Sequence, residues 1–321
     1  MESDDHLMYV FKNFDINIVK KLSILNPWKC GFWILFQWVS ILIAIITMMK
    51  ISQLNLSWFI LIPLYLLSVI WIGSRQHGLA IIMHDATHYR LAKNKTWNDV
   101  VSDLFLAWPL FMTTRSFREK HLPHHHYLNT DQDPDFTRKV DHPKEHWQWQ
   151  FPMSAKRLAY IFIKDLLGLH THELLGMVAT YSNKNSNKKP DKRYFIYKMA
   201  YYLSIASLII YFHVWMIVLL YWLIPQITWL KMLLRLRSIA DHFAMPSKSA
   251  STASRTTYPG LLGRVFIATC NIWYQADHHL YPSVPFYNLH KLHKLLIKDP
   301  NIQKNMHITK GYWGVIRECV R

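Results

Sequence analysis

The sequence predicts an all-α integral membrane protein: about four transmembrane helices in two hairpins, with a helical cytosolic cap. Three observations carry that prediction. The 321 residues are 51% hydrophobic and only 18% charged, where about 25% charged is usual for a soluble domain. The apolar residues are gathered into long runs without one charge. The Lys and Arg residues, 37 against 20 Asp and Glu for a net charge of +17, crowd 12–29, 75–198 and 231–321.

The first uncharged run gives a span at about 31–49 and the second a span at about 54–74, each near the roughly 20 residues a crossing needs. They form a hairpin turning around Gln53-Leu54-Asn55. The run Met199 to Leu230 is too long for one span and short for two straight ones. A single span would separate everything after Lys231 from residues 75–198, and with it the histidine groups below. Two short spans at about 196–212 and 214–232, turning near His213, keep them together. The positive-inside rule then puts both termini and the regions 75–195 and 233–321 in the cytosol, of a bacterial inner membrane or an endoplasmic reticulum. Most of the +17 thus reports topology, and no nucleic-acid partner is expected. The cluster Lys184, Lys188, Lys189, Lys192, Arg193 is placed to touch anionic headgroups.

Two shorter runs, Leu104–Thr114 and Leu261–Gln275, are expected as interfacial or re-entrant helices. Residues 183–191 (NKNSNKKPD) read as a flexible loop. The first 30 residues do not resemble a cleavable signal peptide. No internal repeat or linker divides the chain, so residues 1–321 are expected to be one domain. Three scattered Cys exclude a disulfide framework and an iron–sulfur cluster. Nine Gly without GxGxxG exclude a dinucleotide loop.

Function is carried by the 19 His. His84 and His88 (HDATH) stand at i and i+4, where both imidazoles share one helical face. His121, His124 and His125 (HLPHH) stand at i, i+3 and i+4, with His126 turned away. Pro123 predicts that a helix starts here, because proline is tolerated in a first turn. His278 and His279 follow Gln275 in QADHH; adjacent histidines are about 100° apart and flank two metals more readily than they chelate one. His242 follows the fourth span. Eight imidazoles exceed the four ligands of structural zinc; two metals with open positions fit better, and imidazole suits iron. Asp85, Asp241 and Asp277 each adjoin a histidine and are candidate acceptors for the outer imidazole N–H groups. The bland reading of each is capping or exposure. His77, His142, His146, His170, His172, His290 and His293 read as packing or interfacial residues, the last two on an amphipathic C-terminal helix in NLHKLHKLL.

HDATH, HLPHH and QADHH, in that order between hairpins, resemble the boxes of the membrane fatty acid desaturase superfamily. YRLAKNKTWND after the first box and LNTDQDPDF after the second resemble family segments too. The resemblance implies a non-haem di-iron centre on His84, His88, His121, His124, His125, His242, His278 and His279, with dioxygen as co-substrate. Gln275 stands where many relatives have His, and ligates directly or through water. The implied activity is desaturation of a fatty acyl chain (acyl-lipid or acyl-thioester) within the membrane. Hydroxylation or ketolation of hydrocarbon, carotenoid or sphingoid substrates is the alternative. With no flavin, nicotinamide or haem domain in the chain, a separate ferredoxin-like or cytochrome-like electron donor is implied. A metal transporter would hold its ligands mid-membrane, and these eight lie outside the uncharged runs. The sequence singles out no substrate-binding residues.

Overall fold

The computed structural model describes residues 14–182, 192–245 and 253–321. Residues 183–191, for which the sequence predicts a loop and which include Lys184, Lys188 and Lys189, lie outside the described residues. A short helix α1 (Ile16–Leu22) precedes four helices long and apolar enough to cross a membrane: α2 (Pro27–Ser52), α3 (Trp58–Thr87), α9 (Lys192–Tyr211) and α10 (Trp215–His242). Asn26 starts α2 by accepting from the Lys29 N–H at 3.1 Å, with Pro27 pre-setting the first turn. Between α9 and α10 the chain reverses at His213, whose φ is +54°, where the sequence placed the turn.

The outward faces are apolar. Phe32, Leu35 and Leu42 on α2, Phe59 and Leu66 on α3, and Leu203 and Ile210 on α9 are all exposed. Such a collar has no place in water and matches a hydrocarbon layer. Inside, the helices approach closely at two glycines. A Cβ on Gly78 of α3 would lie 2.7 Å from the Gln37 amide of α2, and one on Gly73 would lie 2.9 Å from Trp229 of α10. Trp38 of α2 stacks on Trp222 of α10 at 5.2 Å.

Two span boundaries differ from expectation. The second span does not end at residue 74: α3 continues for three more turns, and from Ile72 to Thr87 every side chain is buried. It continues because its polar residues find partners sideways. His77 Nδ1 bonds the Ile267 carbonyl at 2.9 Å, and Arg75 donates to Val265 and stacks on Trp71. Likewise α10 runs on past residue 232 to His242, through π turns at Leu219–Leu223 and Gln226–Leu230. Both helices therefore extend beyond their apolar segments as unbroken rods.

The remaining helices form the cap: α4 (Lys95–Ser102), α5 (Thr114–His126), α6 (Pro134–Val140), α7 (Ala155–Leu166), α8 (Thr171–Ser182), α11 (Gln275–Leu280), α12 (Leu289–Leu296), α13 (Pro300–Asn305) and α14 (Gly311–Cys319). One parallel strand pair, β1 (Arg255–Tyr258) and β2 (His307–Lys310), was not anticipated; Thr256, Thr257, Ile308 and Thr309 suit a pleated surface. The two short apolar runs are not continuous helices. Leu104–Thr114 lies in a π turn, a 3₁₀ turn and a left-handed Phe111, because Asp103 accepts from the Thr114 N–H at 2.9 Å and pulls the chain back. Leu261–Gln275 holds a π turn and then loop. Nor does a helix start at Pro123. That residue sits near the end of α5, where its missing N–H removes a bond from only the last turn. α12 is amphipathic as expected, with Leu289, Leu292, His293 and Leu296 buried and Lys291 and Lys294 outward. All three Cys are free and buried.

Candidate metal centre

Four elements converge at the C-terminal ends of α3 and α10. α3 supplies His84, and its C-terminal flanking residue is His88. α5 supplies His121, His124 and His125, α10 supplies His242 at its last position, and α11 supplies His278 and His279. Arg118 fixes α5 against α3. It donates to the Thr87 carbonyl at 2.8 Å and the Ala86 carbonyl at 3.0 Å, and pairs with Asp99 of α4. Those carbonyls belong to the last turn of α3, where the Ala86 carbonyl also accepts from the Tyr89 N–H at 3.0 Å. Asn98 adds a bond to Ala86 at 2.8 Å. The first histidine pair is thereby held at a helix end tied off by α4 and α5.

The eight imidazoles fall into two groups. His84, His88, His121, His125 and His278 each offer a ring nitrogen within 4.8 Å of the others, and so do His124, His242 and His279. The neighbours His124 and His125 fall in different groups, and so do His278 and His279. The groups touch where His125 stacks on His279, centroids 4.1 Å apart. His126 is exposed and outside both.

The arrangement fits metal ions. The Nε2 atoms of His121 and His88 are 3.0 Å apart, and those of His125 and His121 are 2.9 Å apart. Two imidazole nitrogens bound cis to one ion at about 2.1 Å would be separated by about 3.0 Å. Both ring nitrogens of His84 and of His278, and Nδ1 of His125 and His279, are buried without a hydrogen-bond partner. Orphaned buried nitrogens are costly in an ordinary core and are what ligands to a cation require. Burial first, and then neighbouring charges, hold His121, His125, His278 and His279 well below the usual imidazole range, and His88 down to about 3. These rings are neutral at physiological pH, with lone pairs to offer.

The partners behind the imidazoles are only partly those anticipated. Asp277 accepts from Nδ1 of His293 at 2.8 Å and from Thr256, not from either adjacent histidine. Asp85 accepts from the Phe286 N–H at 2.7 Å, and its nearest approach to His84 Nδ1 is 3.9 Å. Asp241 pairs with Arg237 at 3.1 Å. None of the three holds a grouped histidine. The carboxylate that does is Asp133, which accepts from His124 Nδ1 at 2.9 Å while capping α6 through the Asp135 and Phe136 N–H groups. Asn129 anchors the same turn to the His242 carbonyl at 3.0 Å. Gln275 places its amide 3.1 Å from His279 Nε2, and its Oε1 is buried without a partner. His84, His121, His124, His242 and Gln275 all line one cavity of about 150 Å³.

Residues 56–307 match the fatty acid desaturase family. A dihydrorhizobitoxine desaturase of Bradyrhizobium elkanii is 31% identical over 84% of this chain and 76% of its own length. An sn-1 oleoyl-lipid 12-desaturase of Synechocystis sp. is 24% identical over 80% and 74%. A sphingolipid delta(4)-desaturase/C4-monooxygenase of Rattus norvegicus is 24% identical over 66% and 59%. With four helices among the described residues long and apolar enough to cross a membrane and histidine groups able to bind metal, this chain belongs to the fatty acid desaturase family and is a membrane oxidoreductase.

Proposed function

We propose that this chain is an oxygen-dependent di-iron desaturase that introduces a C=C bond into an alkyl chain, with one iron at each histidine group and the whole chain acting as one domain. The observation that supports this most is the division of eight imidazoles, five buried and three half-buried, into two adjoining groups. Bound there, the irons supply oxidation of an unactivated C–H by dioxygen. The protein's own residues position and exclude. The ends of α3, α5, α10 and α11 fix the imidazoles, Asp133 holds His124 in one tautomer, and Gln275 faces His279 in the smaller group. The buried walls keep bulk water from the reacting carbon.

The substrate enters from the membrane, in keeping with relatives named for oleoyl-lipid and sphingolipid substrates. The histidine groups face the cytosol, the side on which Lys and Arg accumulate. Reducing equivalents come from a separate ferredoxin-like or cytochrome-like donor, steered by the basic face.

Mass spectrometry of lipids from a host expressing the protein tests the reading. A product two mass units lighter than its precursor is expected. A gain of sixteen would mark hydroxylation, the second reading, which one relative's double name favours. An unchanged lipid profile from iron-loaded protein with a working donor sinks the proposal.

A further inference from the structure

The hairpin of α7 and α8 distributes its side chains the wrong way round for water. Tyr160, Ile163 and Leu167 form one outward stripe, and Leu166, Leu169 and Leu175 join them, with Leu167 66% and Leu169 57% exposed. Leu158 and Ile161 pack inward, so this stripe is a second apolar face of α7 and no part of the core. The acids point inward. Asp165 is fully buried, accepts from His170 Nδ1 at 2.7 Å and pairs with Lys231 and Arg235 of α10. Glu173 turns onto the same two cations, at 2.8 and 2.7 Å. A surface helix in water shows the reverse arrangement. Charges inside and leucines outside suit a hydrocarbon surrounding.

Contacts along α10 give the depth. Asp165 and Glu173 both meet α10 at Lys231 and Arg235. Between them, Gly168 lies against Ile227, where an added Cβ would come within 3.7 Å of the isoleucine side chain. The hairpin therefore descends from Lys231 to Ile227 and climbs back, with its leucines at the lowest point. Ile227 belongs to the uncharged run that ends at Leu230, about 6 Å along the helix from Lys231. Interfacial helices bury their apolar faces to about 5–10 Å. The backbone at the tip is closed on itself. The N–H groups of Leu167, Gly168 and Leu169 bond the Ile163, Asp165 and Lys164 carbonyls at 2.9, 3.0 and 2.9 Å, and the Thr171 N–H bonds the Gly168 carbonyl at 3.2 Å. Gly168, at φ +71°, supplies the left-handed residue that ends α7 in this way. Internal satisfaction of the backbone is what hydrocarbon demands.

We propose that residues 160–175 insert into the lipid leaflet on the histidine-bearing side, with the leucine tip among the acyl chains. This surface continues the apolar collar of the long helices, because α7 packs on the Gln226–Leu230 turn of α10. Charge agrees with it. Lys156 is exposed, and Lys164 reaches back from the tip over the Tyr160 ring at 5.3 Å, as a lysine does when its stem lies in hydrocarbon and its ammonium seeks headgroups. Residues 155–176 contain no acids besides the inward Asp165 and Glu173. Leu175 faces outward while its neighbour Leu174 lines the cavity shared with His84, His121, His124 and His242. Inserted in this way, α8 has acyl chains on one side and the histidine cavity on the other. The insertion holds whatever substrate the chain oxidises.

The test is quenching of a bimane label on the full chain in phosphatidylcholine nanodiscs. The native Cys are buried, so the label goes to an introduced cysteine, Leu167→Cys, with Leu169→Cys as the second site should the first not fold. Lys304→Cys, exposed in the polar helix α13, is the aqueous control. Lipid carrying a nitroxide near its glycerol end is expected to remove most of the emission at 167 and 169 and to leave the label at 304 bright. Iodide in the buffer is expected to do the opposite. A nitroxide at the chain end should quench the tip less, because the tip is shallow, and stronger quenching from there would overturn the depth argued from Ile227. Quenching of both tip sites by iodide and not by lipid overturns the insertion. Protection from both quenchers overturns it too, and would place a second copy of the chain over the leucines.

Discussion

Asp133 shows how one side chain fixes the chemistry of another. Its carboxylate accepts a hydrogen bond from the His124 Nδ1–H, so Nε2 is the nitrogen left for the group that includes His242 and His279. Asp133→Asn keeps the shape and removes the charge. Partners of this kind are worth about 10–100-fold in metal affinity, so metal analysis after chelator dialysis should find the smaller group depleted first. His124→Ala should go further and abolish oxidation. Full iron content in both variants would disprove the assignment. The eight histidines were legible because their spacings, read with helical periodicity, bring them to common faces. Asp133 lies in the marked segment LNTDQDPDF, but its role was not legible, since its approach to His124 depends on the chain reversing through Asn129 at φ +56°. The acids that were singled out, Asp85, Asp241 and Asp277, failed for a local reason. Residues adjacent in a helix point about 100° apart, so sequence neighbours of the histidines look away from them.

At the scale of helices, the packing of α2, α3 and α10 rests on positions that lack a side chain. Gly78→Val should cost about 1–3 kcal/mol, because the new side chain meets the Gln37 amide in a full interior. Gly31→Ala, in the open at the start of α2, should be neutral or stabilising by up to about 1 kcal/mol. Thermal melting of the two variants in one detergent checks both, and equal melting points would refute the close-packing account. The four long helices were legible from uncharged runs alone, but their ends were not. Arg75 and His77 look like the end of a span in sequence. In space they are satisfied by the carbonyls of Val265 and Ile267 in the π turn Gly263–Ile267, so the helix carries on to the histidine-bearing end. Pro123 misled for the opposite reason: proline is tolerated in the last turn of a helix as well as the first.

For the molecule as a whole, topology was the most informative inference from sequence. The expectation that all histidine groups share a side pointed to an even number of spans, and α3 and α10 bring His84 and His242 to one cavity. The buried neutral rings also set the acid stability of the metal-free chain. Unfolded imidazoles take up protons near pH 6.5, while His88, held down to about 3, and His121, His125, His278 and His279, held well below the ordinary range, do not when folded. Below pH 6.5 the unfolded chain binds more protons, so stability falls as the pH falls. The melting temperature of metal-free protein should therefore drop between pH 7 and 5, and a flat profile would contradict the buried-neutral description. One further consequence follows from the way α5 and α11 each send neighbouring histidines to opposite groups. An ion settling in one group orders the two helices that furnish the other, so the second ion meets ligands whose freedom has already been lost. Loading should then be cooperative, and a stepwise iron titration followed by native mass spectrometry should pass from empty to doubly loaded chains with little of the singly loaded form between them.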